Sequence, residues 1–270
     1  MPGVRFTEEQ STNLATLYGR ALDARSANPL LGDTAAAEAL ERIDYDFGKF
    51  GMNRNLALSV AARAKVFDDL LRDFLRSHPR ATVLHLGAGM DSRVFRLDPG
   101  PEVAWFDIDY PDVIALREQV YPGGRPGYRT IGSSVTDTRW LAEVPADRPA
   151  AIVAEGLTMY LDPDEGRAMF RAIVNHLPTG EAIFDAFSPL GIRLQKLNPV
   201  VRRSGARLRW GIADPRELEA TGLELAQVLY APEMAAPMRD RASLTVRAQL
   251  AVLERIRLFR EMGRLLRYRF

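Results

Sequence analysis

The chain predicts an α/β protein, a parallel sheet with helices on both faces, and three observations predict it. From Ala81 onward, short apolar runs alternate with helical segments, several of them opened by proline. The first apolar run ends in the glycines Gly87 and Gly89, as a tight strand-to-helix turn does. Four strand ends carry polar or acidic residues, at the place where an open parallel sheet binds its ligand.

Taken in order, residues 1–80 read as a helical N-terminal cap of the same domain. Leu14, Leu17, Ala21 and Arg25 follow a helical stripe that Asn28-Pro29 interrupts. Asp33-Thr34 can cap a short helix, Ala35–Ile43, and the aromatic, glycine-rich DYDFGKFGMN reads as a covering loop. A long helix from about Asn53 to Ser77 has the apolar stripe Val60, Phe67, Leu70, Leu71 and Phe74. Arg63 falls on that stripe. Either its stem packs while its head reaches water, or its charge is aimed at a ligand carboxylate.

Residues 81–270 read as the core. Its strands are Thr82–Leu86, Glu102–Ile108, Tyr128–Gly132, Ala150–Ala154, Glu181–Phe187, Leu223–Tyr230 and Leu265–Phe270. Helices fall at Tyr110–Gln119, Pro163–His176 and Ser243–Met262, the last with Val252, Ile256 and Phe259 on one face. A short helix runs from Asp214-Pro215 to Ala220. The basic, amphipathic stretch from about 188 to 212 breaks the rhythm and reads as an inserted lid or as a solvated surface helix.

Composition narrows the function. With 270 residues and 47% hydrophobic side chains, the chain can bury a sizeable core. A net charge of +1 gives no reason to expect nucleic acid as partner. The absence of cysteine removes disulfides and thiolate chemistry and suits a cytoplasmic protein. No signal peptide or membrane span is expected, and no metal-ligand spacing such as H-E-x-x-H occurs. Basic residues are nearly all arginine; Lys49, Lys65 and Lys196 are the lysines.

The strand ends give the site. They are Gly87–Asp91, Asp107 with Asp109, Ser134-Val135, and Glu155. An acid about 20 residues after a glycine turn can accept both hydroxyls of a ribose. Asp109 has that place, although an acid at a strand end can equally cap a helix or hold a cation. No Walker lysine follows the turn, which excludes a P-loop, and Ser92 stands where a dinucleotide fold wants a third glycine. Asp91 would repel a pyrophosphate. A ligand with a ribose and a cationic group fits better, as S-adenosylmethionine does.

LGAGMDSRVFRL, WFDIDYPDVI and AEGLTMYL together closely resemble the leucine carboxyl methyltransferase-like family, which includes bacterial O-methyltransferases of polyketide and other natural-product pathways. RALDAR and PLLGDTAA look like the family's opening segment. The resemblance implies a class I, Rossmann-like methyltransferase fold with a seven-stranded sheet whose last strand is antiparallel. It implies S-adenosyl-L-methionine as cofactor, released as S-adenosyl-L-homocysteine, and no metal. It carries over Gly87, Ala88, Gly89 and Asp91 to the methionyl part, Asp109 to the ribose, and Arg63 and Arg20 to the cofactor carboxylate and its surroundings. Glu155 and Gly156 match an acid-glycine pair facing the cofactor. Ser134 and Val135 stand where many members have Asp-Leu at the adenine, a departure that removes a carboxylate acceptor.

Of the three histidines, His85 lies inside a strand, His78 follows a helix as an exposed cap and His176 ends another, so none is an obvious base. That favours an acceptor acidic by itself: a carboxylic acid, or an acidified phenol or enol. Tyr160 and Arg193 are candidate substrate contacts, with Arg202 and Arg203 beside them in the lid. The expected function is methylation of an oxygen on a small-molecule natural product. Methylation of a protein C-terminal carboxylate and a cofactor-binding scaffold without catalysis are the alternatives. A nicotinamide dehydrogenase is disfavoured by Asp91 and the missing third glycine. The catalytic residues, the acceptor and the oligomeric state are not legible.

Overall fold

A computed structural model describes residues 8–194 and 207–270. One sheet holds β1 (Thr82–Leu86), β2 (Ala104–Asp109), β3 (Tyr128–Gly132), β4 (Ala150–Ala154), β5 (Gly180–Phe187), β6 (Glu224–Tyr230) and β7 (Gly263–Arg269). Their order is β3-β2-β1-β4-β5-β7-β6. β7 runs antiparallel to both neighbours and the other pairs are parallel. The seven-stranded sheet with its antiparallel last strand is the one the resemblance implies. Strand order reverses between β1 and β4, so the crevice lies beyond the carboxyl ends of β1, β2 and β4.

β1 and β4 are buried at every position, as strands covered on both faces must be. The helices are α1 (Glu8–Ala24), α2 (Thr34–Glu41), α3 (Arg54–Ser77), α4 (Arg93–Leu97), α5 (Pro111–Val120), α6 (Pro163–His176) and α7 (Pro189–Arg193). On one face of the sheet Val83, Trp105, Val153 and Ile183 meet Phe67, Leu71 and Phe74 of α3. Their strand neighbours Leu84, Phe106, Ile152 and Phe184 point the other way and meet Met169, Phe170 and Ile173 of α6. Leu14, Leu17 and Ala21 of α1 are fully buried. Arg25 leaves that stripe for the surface, where it pairs with Glu41.

Several expectations need correction. Residues 45–50 are a half-buried aromatic cluster around a 3-10 turn, Phe47–Phe50, with Tyr45 and Phe50 stacked at 5.5 Å. The short helix expected after Asp214 is a 3-10 turn, Pro215–Thr221. The helix expected over Ser243–Met262 breaks at Ile256 into Leu244–Arg255 and Arg257–Arg260. Its apolar face is open: Val252 is 58%, Ile256 42% and Phe259 39% exposed. Met234, on the short helix Ala231–Ala235, already packs against the sheet-face cluster that includes Leu229 and Leu265. Of the later helix, Val246 near its start packs against Leu58, Ala62, Met238 and Ala242. In the stretch 188–212, α7 opens the segment, while 195–206, with Arg202 and Arg203, lies outside the described residues. The chain returns with Arg209 and Trp210, whose amides both donate to the Met159 carbonyl.

Candidate cofactor-binding site

The β1–α4 turn is held open by its glycines. Gly87 and Gly89 take φ of +62° and +48°, which side chains disfavour. A Cβ on Gly87 would stand 2.9 Å from Leu157, and one on Gly89 would stand 2.7 Å from Asn13. Ala88 and Asp91 are buried beside them. α4 is a single turn of helix, and its N-cap Ser92 caps nothing: the hydroxyl donates instead to Asp33, at 2.5 Å.

Asp109, at the tip of β2, faces this turn. Its Oδ2 accepts the Gly89 N–H at 2.8 Å and its Oδ1 the Tyr110 N–H at 2.7 Å. Burial pushes its carboxyl above the usual range, against the pull of those two amides. Ser133–Val135 follow β3 directly: the Ser133 N–H donates to the Asp109 carbonyl, Ser134 Oγ meets Thr136 at 3.0 Å, and Val135 is buried. Asp109 and the Ser134-Val135 segment thus adjoin one another at the β2–β3 tips.

On the other side of β1, Glu155 ends β4. Its Oε2 takes Arg93 Nη2 at 2.5 Å and its Oε1 lies 2.9 Å from Arg63 Nε, with that N–H poorly aligned. Burial opposes the charge of Glu155, but Arg63 and Arg93 outweigh it and hold the carboxyl below its ordinary value. Arg63 also reaches Asp185 Oδ2 at 3.2 Å while keeping 29% of its side chain exposed. It is thus paired inside with two of the chain's own carboxylates, and open outside. Gly156 has φ +70° and donates its N–H to Asp185 Oδ1 at 2.6 Å. Tyr160 sits half-buried in the short turn Thr158–Tyr160 that follows. Arg193 ends α7 on the exposed surface.

Beneath the tips lies a buried charge network that sequence reasoning missed. Arg93, fully buried, joins Asp68 at 2.7 Å, Asp91 at 3.2 Å and Glu155. Arg96 joins Asp68 at 2.7 Å, Asp91 at 2.5 Å and Asp33 at 3.1 Å. Burial penalises Asp91, yet Arg93 and Arg96 hold its carboxyl well below the ordinary range. Asp91 is thus no free acid that repels phosphate, as the sequence suggested. Arg20, 2% exposed, donates from Nη2 to the Met90 carbonyl at 3.0 Å, and its Nε stands 3.5 Å from Asp33 with no hydrogen bond. Asp107 is consumed by His85, Trp105, Tyr128 and Arg117 and does not reach the crevice. One signal was readable: Asp68 lies on the buried side of α3 with Phe67 and Leu71.

The histidines are structural. His85 holds Asp107 through Nδ1 at 2.9 Å. His78 is half-buried, more so than an exposed cap, stacked on Phe74 with Nδ1 at its carbonyl; His176 Nε2 meets the Val144 carbonyl at 2.9 Å. Among the described residues no group of three His, Asp or Glu is placed to hold a metal. No described helix is long and apolar enough to cross a membrane.

This donor set fits the methyl donor. Gly87 and Gly89 let the turn's backbone pack closely, where a Cβ would crowd Leu157 and Asn13. Asp109 is buried without a cation and retains lone pairs for hydroxyl donors. Arg20 Nε and Glu155 Oε1 are buried polar atoms still lacking hydrogen bonds. The network's carboxylates (Asp33, Asp68, Asp91, Asp107, Asp109, Glu155, Asp185) outnumber its guanidinium groups (Arg20, Arg63, Arg93, Arg96, Arg117) by two, a surplus suited to a cationic ligand.

The leucine carboxyl methyltransferase family profile matches residues 13–174. The tetracenomycin polyketide synthesis O-methyltransferase TcmP of Streptomyces glaucescens is 48% identical over 217 residues, 80% of each chain. The S-adenosyl-L-methionine-dependent methyltransferase dpfgK of Gibberella zeae is 38% identical, covering 80% of this chain and 79% of that one. Among solved structures, one from Thermobifida fusca YX shares the fold with a TM-score of 0.57, 20% identity and 93% coverage of both chains. The geranyl diphosphate methyltransferase in complex with SAM has a TM-score of 0.53 at 13% identity, covering 86% of this chain and 93% of that one.

Proposed function

Because this chain belongs to the leucine carboxyl methyltransferase family, we propose that it is an S-adenosylmethionine-dependent O-methyltransferase acting on a small polyketide-type acceptor. The observation that carries this reading is the 48% identity to a polyketide O-methyltransferase over four-fifths of both chains. The geometry supports it, since Arg20, Arg63, Gly87, Gly89, Asp109 and Glu155 all lie inside the matched span and around one crevice.

Gly87–Gly89 would make room for the methionyl part and Asp109 would accept the ribose hydroxyls. Arg63, steadied by Glu155, would meet the carboxylate, with Arg20 behind it. Asp91 and Gly156 would border the amino-acid end, and Ser134 with Val135 the adenine. When bound, the donor supplies a methyl group already activated on a sulfonium. The protein then has to align the acceptor and exclude water, and alignment alone can contribute about 7–11 kcal/mol.

No histidine here is available as a base, because each is held by the fold. The acceptor therefore brings its own acidity. A carboxylic acid, with pKa about 4, is ionised at neutral pH, and a phenol near 10 needs acidifying substituents. Tyr160 and Arg193 are the described candidates to contact it, and transfer proceeds without a metal.

The test is transfer of a labelled methyl group to a panel of hydroxyaromatic acids, phenols and enols, with a peptide ending in a free carboxylate as a separate arm. Label on an oxygen of a small molecule is expected. Label on the peptide alone would move the chain to protein carboxyl methylation, and donor binding with no transfer to any member would leave it a scaffold.

A further inference from the structure

We infer that Asp185 positions the donor's amino-acid end by clasping Arg63 and the Gly156 peptide together; this rests on the cofactor site proposed above. Asp185 stands near the carboxyl end of β5, one strand beyond Glu155 in the sheet. It is 6% exposed, which makes its charge costly unless every oxygen is used. Both are. Oδ1 accepts the Gly156 N–H at 2.6 Å, and Oδ2 accepts Arg63 Nη1 at 3.2 Å. Its own carbonyl accepts the Thr158 hydroxyl at 2.5 Å, tying the chain after β4 back onto β5.

These contacts join three separate elements. Arg63 comes from α3, Gly156 from the turn after β4, and Asp185 from β5. Glu155 alone would hold the guanidinium at Nε and leave it free to swing about that contact. A second carboxylate on Nη1 fixes the plane of the fork, and a planar fork recognises a carboxylate only in the right plane. Gly156 is part of the same device. A Cβ there would lie 3.7 Å from Arg63 Nη1 and 3.8 Å from Nη2, so the glycine backs directly onto the end of the fork. Asp185 touches neither donor nor acceptor in this account. It acts through Arg63 and is a positioning residue.

Asp185→Asn keeps an acceptor for Gly156 but turns a neutral amide toward Arg63. Titration with S-adenosylhomocysteine should show Kd raised about tenfold. In turnover, KM for the donor should rise by a similar factor while kcat at saturating donor changes much less. The decisive comparison is a double-mutant cycle with Arg63→Met, because residues acting through one contact are non-additive. Asp185→Asn should add nothing further in the Arg63→Met background. Independent, multiplying effects would overturn the proposal, as would an unchanged Kd in the single variant. If Asp185→Asn folds poorly, Asp185→Glu, which keeps the charge and lengthens the arm, enters the same cycle. The cofactor reading fails separately, by absence of S-adenosylhomocysteine binding to the unaltered protein.

Discussion

Asp107 and Asp109 stand two residues apart on β2, yet their surroundings give them opposite work. Asp107 is fully buried among His85, Trp105, Tyr128 and Arg117. Burial opposes its charge, but Arg117 and His85 bring its carboxyl down to about 2. A carboxyl depressed on folding contributes stability above its unfolded value near 4, and that contribution is lost as pH falls toward 2. Denaturant unfolding at a series of pH values should therefore show about 2 kcal/mol disappearing across that window. Asp107→Asn should flatten that part of the profile. It should also cost about 3–5 kcal/mol at neutral pH by stranding the buried Arg117. An unchanged profile in Asp107→Asn would mean that other carboxylates carry the acid sensitivity. Asp109 keeps only two backbone donors and no bound cation, the state of a residue left for a ligand.

At the scale of elements, what was legible in the sequence was whatever repeats along the chain. Strand alternation, proline starts and the α3 stripe gave β1, β3, β4 and α6 at their observed bounds, because local pattern and burial agree there. Arg63, Asp109, Glu155 and the glycine turn were readable because each sits at an element end or breaks a stripe. The Arg93–Asp68–Arg96–Asp91 network was not. Its members come from α3, α4 and the glycine turn, and ion pairing across elements leaves no period in one segment. Asp185 was hidden for the same reason, since its partners Arg63 and Gly156 come from other elements. The stripe Val252, Ile256, Phe259 misled in the other direction, since amphipathic spacing tells that a face is apolar and not that anything covers it. Replacing these three with serine should lower stability by no more than about 0.5 kcal/mol each, as at open surface sites. A loss of several kcal/mol would show that the face is covered in solution.

For the whole molecule, the sheet order and the two apolar layers bring the tips of β1, β2 and β4 together at the reversal of strand order. α1, α2 and α3 are fastened to that point by charge as well as by packing, through Arg20, Asp33 and Asp68. Family membership and the crevice chemistry converge on one account, in which a cationic methyl donor spans from Asp109 to Arg63. Calorimetric titration of S-adenosylhomocysteine tests it most directly, using the unaltered chain, Asp109→Ala and Arg63→Met, each shown to be folded by its melting curve. The account predicts one site per chain, with Kd raised more than tenfold in each variant, and no heat from NAD. Equal affinity in all three proteins, or no binding to any, would contradict it.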